Sequence, residues 1–360
     1  MSRRPAPLKS TPAPVSQASV LDDVDADGDE DSGVDTVIAS PSAGPVRELD
    51  HRVEPGAHGR RLDQMLVGLA GEFSRSHLQS LIERGCVQLD GQVVQTPSRK
   101  VHMGQRLQAR LEPTAESQAF VAEPMDLAIV FEDEHLLIVN KPAGMVVHPA
   151  AGNWSGTLMN GLLAHHTAAA GLPRAGIVHR LDKDTSGLMV VGKSLQACTA
   201  LVRVIAARDV HRQYRAIVWG RPPAQLRIDA PVGRDPVSRV RMAVVASGRP
   251  AMTDVETLGT IEHEMAERPR AMAISAVQCT LHTGRTHQIR VHLSSRGWPL
   301  LADALYGGVP ALGLERQALH AARLRLAHPV TGLALDFEAD LPADMATAWA
   351  QVVHNEAESV

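Results

Sequence analysis

The stretch GIVHRLDKDTSGLMVVGK, residues 176–193, sets His179, Arg180, Asp182, Lys183 and Asp184 between two apolar runs, Ile177-Val178 and Leu188 to Val191. A carboxylate at the edge of a core stays ionised only if a cation converges on it. So placed, Asp182 could act as a nucleophile or accept a proton. The composition KDTSG also suits a plain charged turn between strands. The stretch LHTGRTHQIRVHLSSRGWP, residues 281–299, offers the distant cation. Thr286 can cap a helix in which Ile289 and Leu293 face the core and Arg290 sits one turn in. His282, His287 and His292 recur every five residues, which neither stacks them on one helical face nor makes an H-E-x-x-H pair, so no metal site is expected. A third stretch, HRQYRAIVWG at 211–220, carries Tyr214, one of only two tyrosines in the chain. A ring presented from a strand can hold a base that has left its helix, or it can simply pack.

The elements that must position these groups belong to a chain of 360 residues, long enough for two or three domains at roughly 150 residues each. With 44% hydrophobic and 21% charged residues the composition is globular, and no apolar run approaches the roughly 20 residues that span a bilayer. The opening MSRRPAPLKS has no apolar segment behind its arginines, so no secretory signal is read and a cytoplasmic location is expected. Cys86, Cys198 and Cys279 are far apart and make no C-x-x-C pair, which makes them expected buried free thiols. The formal net charge of −4 misleads until it is divided along the chain: residues 1–47 hold eight acids against four basic residues, leaving the rest neutral. Within that rest, residues 203–250 contain ten arginines, three acids and no lysine, a composition suited to phosphate. Residues 1–45, rich in Pro, Ser, Ala and Asp, read as a disordered tail. Its run DVDADGDEDSGV, residues 23–34, opens like a calcium loop but ends at Val34 instead of the glutamate such a loop needs.

Over residues 58–112, apolar positions 62, 65, 66 and 69, then 78, 81 and 82, recur at helical spacing, with EFSRS as a capped break between two helices. CVQLDGQVV and RLQARL then alternate, and Asp90-Gly91 reads as a tight hairpin. Eight basic residues stand against five acids in this unit. It resembles the S4 RNA-binding domain, on Arg61-Leu62-Asp63, Ser74-Arg75-Ser76, Ile82, Gly85, Val87 and Gly91. Beyond the linker PTAESQAFVAEPMD, strand patterns recur at 127–144, 176–193, 214–220, 228–232, 240–245 and 271–281, with helical patterns at 155–165, 195–208 and 287–296. The expected fold class is α+β. A small S4 domain, two helices plus short β-hairpin elements, precedes a catalytic domain built on a mixed, largely antiparallel sheet with flanking helices. The boundaries read as an acidic tail at 1–45, an S4-like domain at 46–115, a linker at 116–125 and a catalytic domain at 126–360.

HRLDKDTSGLMVV at 179–191, EDEHLLIVNKPAGMVVHPAAGN at 132–153 and TGRTHQIRVHL at 283–293 together closely resemble the RluA/RluD family of RNA pseudouridine synthases. GRDPVSRVRMAV at 233–244, YGG at 306–308 and HPVTG at 328–332 extend the likeness. The resemblance implies isomerisation of uridine to pseudouridine in RNA, with 23S ribosomal RNA as the expected partner, no cofactor, no membrane and a monomer as the default. It implies that Asp182 is the catalytic carboxylate, that Tyr214 stacks on the flipped uracil and helps remove its C5 proton, and that Arg290 pairs with Asp182. Substrate or RNA binding is implied for Arg180, His179, Lys141, Arg61, Arg75 and Arg285, with Lys141-Pro142 shaping a pocket wall. The chain departs from the family pattern at Ala302 and Ala304, where Gly and Pro are common, and at Gly192, where Ala is frequent. Two other readings compete. An N-glycosidase would use Asp182 and Asp184, two apart on one strand face, as a carboxylate pair. A non-catalytic S4-type RNA-binding assembly factor would use only the basic surfaces.

Overall fold

The helical spacing after residue 60 is realised as α1 (Leu62–Leu69) and α2 (Arg75–Glu83). Ser74 caps α2 by accepting from the His77 N–H, as a serine before a helix should. The computed structural model describes residues 46–113, 119–238, 240–264 and 271–354. The acidic tail with its calcium-like run, and part of the expected linker, lie outside them. The described residues fall into two compact units.

In the first unit, β1 (Arg47–Arg52), β2 (Val87–Leu89), β3 (Gln92–Val93) and β4 (Arg106–Leu111) form a sheet in the order β1-β4-β2-β3. Asp90 and Gly91 join β2 to β3 with φ of 50° and 79°, the left-handed pair that a two-residue hairpin requires. Leu62, Leu66, Leu78, Leu81 and Ile82 bury their side chains completely with Val87, Leu107 and Leu111. β1 carries no strong apolar alternation and was not expected as a strand; its pairing with β4 makes it one.

The same unit includes Gly144–Ala175, residues expected within the 126–360 domain. The helix there, α3 (Leu158–His165), begins at a Thr157/Asn160 capping box, three residues later than its expected start at 155. The expected linker is bound to it. Asn160 Nδ2 donates to the Val121 carbonyl at 2.8 Å, the Glu123 N–H donates to the Asn160 carbonyl at 3.0 Å, and the Gly156 N–H donates to Glu123 Oε2 at 2.9 Å. A Cβ on Gly161 would stand 2.7 Å from Met125, so the strap lies close against the helix.

In the second unit the chain forms β5 (Ile129–Glu132), β6 (Leu136–Lys141), β7 (Ser186–Gly192), α4 (Leu195–Ala206), β8 (His211–Trp219), β9 (Gln225–Asp229), β10 (Val232–Arg234), β11 (Met242–Val244), β12 (Met252–His263) and β13 (Met272–Leu281). It continues with α5 (Gln288–Ser295), β14 (Leu319–Ala327), β15 (Ala334–Glu338) and α6 (Ala343–His354). The main sheet has nine strands in the order β5-β6-β7-β14-β8-β13-β12-β9, with β15 on β14. Its pairings are antiparallel except β14 with β7, so the sheet is mixed and largely antiparallel, as expected. The β10–β11 hairpin stands apart as a separate ribbon.

In this second unit three further strands were not anticipated. β14, LHAARLRLA, is rich in helix formers, and only its burial between β7 and β8 makes it a strand. β12, MTDVETLGTIEH, carries three acids and a glycine, and Gly259 marks a bulge in its pairing with β13. β15 alternates only weakly and follows from its place on β14.

Candidate active site

Asp182 does not sit on a strand. It opens a turn closed by the Thr185 N–H donating to the Asp182 carbonyl at 3.1 Å, and β7 begins only at Ser186. The expectation that Asp182 and Asp184 share a strand face is therefore corrected: both lie in a turn ahead of β7, and Asp184 does not line the pocket described below. The turn is braced from beneath. Lys141 Nζ donates to the carbonyls of Pro142 at 2.8 Å and Lys183 at 3.0 Å. Arg316 Nη1 donates to the Asp184 carbonyl at 2.9 Å, and Gln317 Nε2 to Thr185 Oγ1 at 2.9 Å. Lys141 has no exposed surface, and burial lowers its pKa to about 8 against the pull of Asp182 and Asp184. Lys141 thus supports the loop from within the core and does not line the pocket wall.

Arg290 reaches Asp182 from α5. Its Nη1 donates to Asp182 Oδ2 at 2.9 Å, while Nε and Nη2 form a fork on Asp303 at 2.8 and 2.9 Å. Asp303, the only charged residue between Arg296 and Glu315, was not anticipated, although its isolation in a small, apolar run was a usable signal. Burial would weaken the proton affinity of Arg290, but Asp303 and Asp182 raise it, so the guanidinium stays charged. Burial likewise pushes the Asp182 carboxyl up, yet His287, Arg290 and Arg180 together hold it below its usual value. Burial lowers the His287 pKa, so at neutral pH the permanent positive charge facing the Asp182 carboxylate comes from the two arginines.

The expected cap at Thr286 is corrected. α5 starts at Gln288, and His287 occupies the cap position with φ 56° and no side-chain capping bond. That left-handed turn aims His287 into the site. Its Nε2 lies 3.8 Å from Asp182 Oδ1 and its Nδ1 is 2.8 Å from the Tyr306 hydroxyl, which also accepts from the Met242 N–H. The Tyr306 ring lies under Arg290, 5.0 Å from guanidinium carbon to ring centre. His282 instead meets Asp254 at 2.7 Å, and His292 is buried against Thr253 and the Ala230 carbonyl. The three histidines therefore go to three separate places. Among the described residues, no three His, Cys, Asp or Glu side chains converge as metal ligands.

These groups line a pocket of about 330 Å³. Tyr214 enters it from β8, 5% exposed, with burial raising the pKa of its hydroxyl. Arg180 and Arg285 stand at its mouth, joined by Arg208, which the sequence reading did not single out. His179 lies in the wall: its Nε2 accepts from the Val190 N–H at 3.0 Å, which places the ring proton on Nδ1. Burial and nearby Arg212 lower the His179 pKa to about 3. Of the expected site residues, the pocket thus gathers Asp182, Tyr214, Arg290, Arg180, His179 and Arg285.

Arg61 and Arg75 belong to the first unit, where both turn onto Asp63. Arg61 donates from Nε and Nη2 at 3.0 and 3.1 Å, Arg75 from Nη2 at 2.9 Å, and Gln79 completes the set at 2.7 Å. The buried Asp63 carboxyl is held far below its usual pKa, first by the Arg61 hydrogen bonds. Both arginine side chains keep 41% and 52% of their surface exposed, enough to meet a second anion. The arginine-rich run 203–250 does not form one stripe. Arg215, Arg221 and Arg227 pair with Glu338, Glu262 and Asp254, while Arg208 and Arg212 turn to the pocket. Cys198 and Cys279 are buried free thiols, as expected; Cys86 is only half-buried.

A family model described as RNA pseudouridylate synthase matches residues 135–295, and the S4 domain model matches residues 60–107. The chain is 47% identical over 300 residues to "Ribosomal large subunit pseudouridine synthase D" of Neisseria meningitidis serogroup B, covering 80% of this chain and 77% of that protein. It is 46% identical over 305 residues to the protein of the same name from Nitrosomonas europaea, covering 82% and 85%. Among solved structures, Human RNA Pseudouridylate Synthase Domain Containing 1 aligns with a TM-score of 0.48 and 26% identity, over 62% of this chain and 90% of that one.

Proposed function

This chain belongs to the RNA pseudouridylate synthase family, and from that premise we propose how its own residues isomerise uridine in the ribosomal RNA of the large subunit. The N1–C1′ bond breaks, the uracil turns, and a C5–C1′ bond forms while the C5 proton is lost and N1 gains one. Nothing is oxidised and no energy source is consumed. One ionised carboxylate suffices, either attacking C1′ or removing the C2′ proton. The observation that carries the assignment is the Arg290 fork, anchored on Asp303 and donating to Asp182, in a pocket that also holds Tyr214. Asp182 is then the catalytic carboxylate. Tyr214 offers a ring for the uracil to stack on and a neutral hydroxyl near its C5 edge.

Arg180, Arg208 and Arg285 at the mouth give the flanking phosphates positive partners, and the exposed faces of Arg61 and Arg75 extend contact to RNA from the S4 domain. No described helix is long and apolar enough to cross a membrane. A ribosomal RNA substrate supports the reading of a cytoplasmic location.

The test is tritium release from a ribosomal RNA transcript labelled at uridine C5, with free uracil followed in parallel. Wild type is expected to release tritium without free uracil, and Asp182→Asn to release neither. Free uracil would mean a hydrolase; release by Asp182→Asn would remove Asp182 from the chemistry.

A further inference from the structure

Arg212 is a buried arginine with no counter-ion. It is 8% exposed, yet its guanidinium makes no hydrogen bond and no ion pair among the described residues, and its Nε is sealed from solvent without a partner. It lines the pocket two residues before Tyr214 on β8, so the two side chains share one face of the strand. Burying a guanidinium unpaired costs far more than the side chain's packing returns, so such a charge persists where a ligand supplies the anion. The pocket's own carboxylate does not: Asp182 is engaged by Arg290, His287 and Arg180.

The buried side-chain atoms of this wall that lack a partner, Arg212 Nε and His179 Nδ1, are both donors. A uracil edge presents the N3–H donor between its carbonyls and needs an acceptor facing it. A phosphate presents acceptors only and matches the planar fork of arginine. Room for the guanidinium is made by Gly284, where a Cβ would stand 2.7 Å from Arg212 Nη1.

We propose that Arg212 grips a backbone phosphate next to the uridine held over Asp182, and so fixes the flipped nucleotide rather than the base. The inference rests on the synthase reading above. His179, kept neutral by burial and, to a lesser degree, by the Arg212 charge, adds a donor on the same side.

The experiment uses full-length protein and a ribosomal RNA stem-loop containing the uridine that wild type converts. Versions carry a methylphosphonate in place of each phosphate flanking that uridine in turn. Arg212→Gln is expected to weaken binding about 30-fold or more, and to lower the slope of log affinity against log salt by about one. One methylphosphonate is expected to cost wild type a similar factor and to cost Arg212→Gln less than about 3-fold, the signature of a shared contact. Arg212→Lys, which keeps the charge, should recover part of the loss and covers the case of a poorly folding glutamine variant. An unchanged salt slope, or penalties that multiply at both phosphates, overturns the proposal and points to the base instead. Failure of wild type to convert any uridine would count against the synthase reading, while the salt slope still tests Arg212.

Discussion

Asp303 does for Arg290 what Arg290 does for Asp182. The fork on Asp303 fixes the guanidinium plane, leaving Nη1 aimed at the Asp182 carboxylate, the group proposed above to carry the chemistry. Asp303→Asn keeps the shape but removes the charge that offsets the buried arginine, and breaking such a pair costs about 3–5 kcal/mol. The expected kinetic result is a kcat lower by about 10- to 100-fold with KM nearly unchanged, because a misaimed Arg290 shifts the reacting group and not the RNA-binding surface. Urea unfolding and tritium-release kinetics on the same preparation check both. Lost stability with kcat retained in the folded protein would show that Asp303 serves packing alone. At this scale Asp182 and Arg290 were legible, because an acid at the edge of an apolar run demands a cation and the helix pattern offered one. His287 was not, since only its left-handed backbone turns it toward Asp182.

β7 and β14 meet where the loop that carries Asp182 enters the sheet. Gly187 pairs with Ala321 at φ 119°, and a Cβ there would collide with the Ala321 backbone. Gly187→Ala is expected to cost about 3 kcal/mol or more, from a left-handed side chain plus overpacking. Gly91→Ala, at φ 79° with open space around it, should cost only about 1 kcal/mol. Chemical unfolding of the two variants gives the comparison, and equal losses would mean that the β7–β14 contact yields easily. Gly192 has a similar logic: a Cβ there would meet Cys198 Sγ at 2.6 Å, which explains glycine where alanine is frequent. Ala302 adopts φ 57°, the left-handed region for which glycine would be the easier choice. The Asp90-Gly91 hairpin was readable from two letters, because few residue pairs accept two left-handed positions. β14 was not, because its composition favours helix and its neighbours overrule it.

Across the whole molecule, several histidines are held neutral in the interior. Burial lowers His179 to about 3 and His320 to about 4, against about 6.5 in an unfolded chain. Below pH 6.5 the unfolded state binds these protons and the folded state does not. Stability is therefore full above pH 6.5 and falls as the pH drops toward the folded values, by about 1.4 kcal/mol per pH unit for each group. Urea midpoints at pH 7.5 and 5 should show this loss, and His320→Gln should remove about one proton's share; an unchanged slope would mean that His320 titrates alike in both states. The sequence by itself determined the two kinds of unit through local patterns of residue type and spacing, and its likeness to a known family supplied the reaction and the roles expected of Asp182, Tyr214 and Arg290. Only the tertiary structure decided what completes the site. Asp303, His287 and Arg212 lie on separate segments, and their roles exist only where the folded chain brings a buried charge within reach of its partner or leaves it without one. The grouping of residues 144–175 with the first unit was likewise decided by packing, since Asn160 and Glu123 bind together segments that the sequence places in different domains.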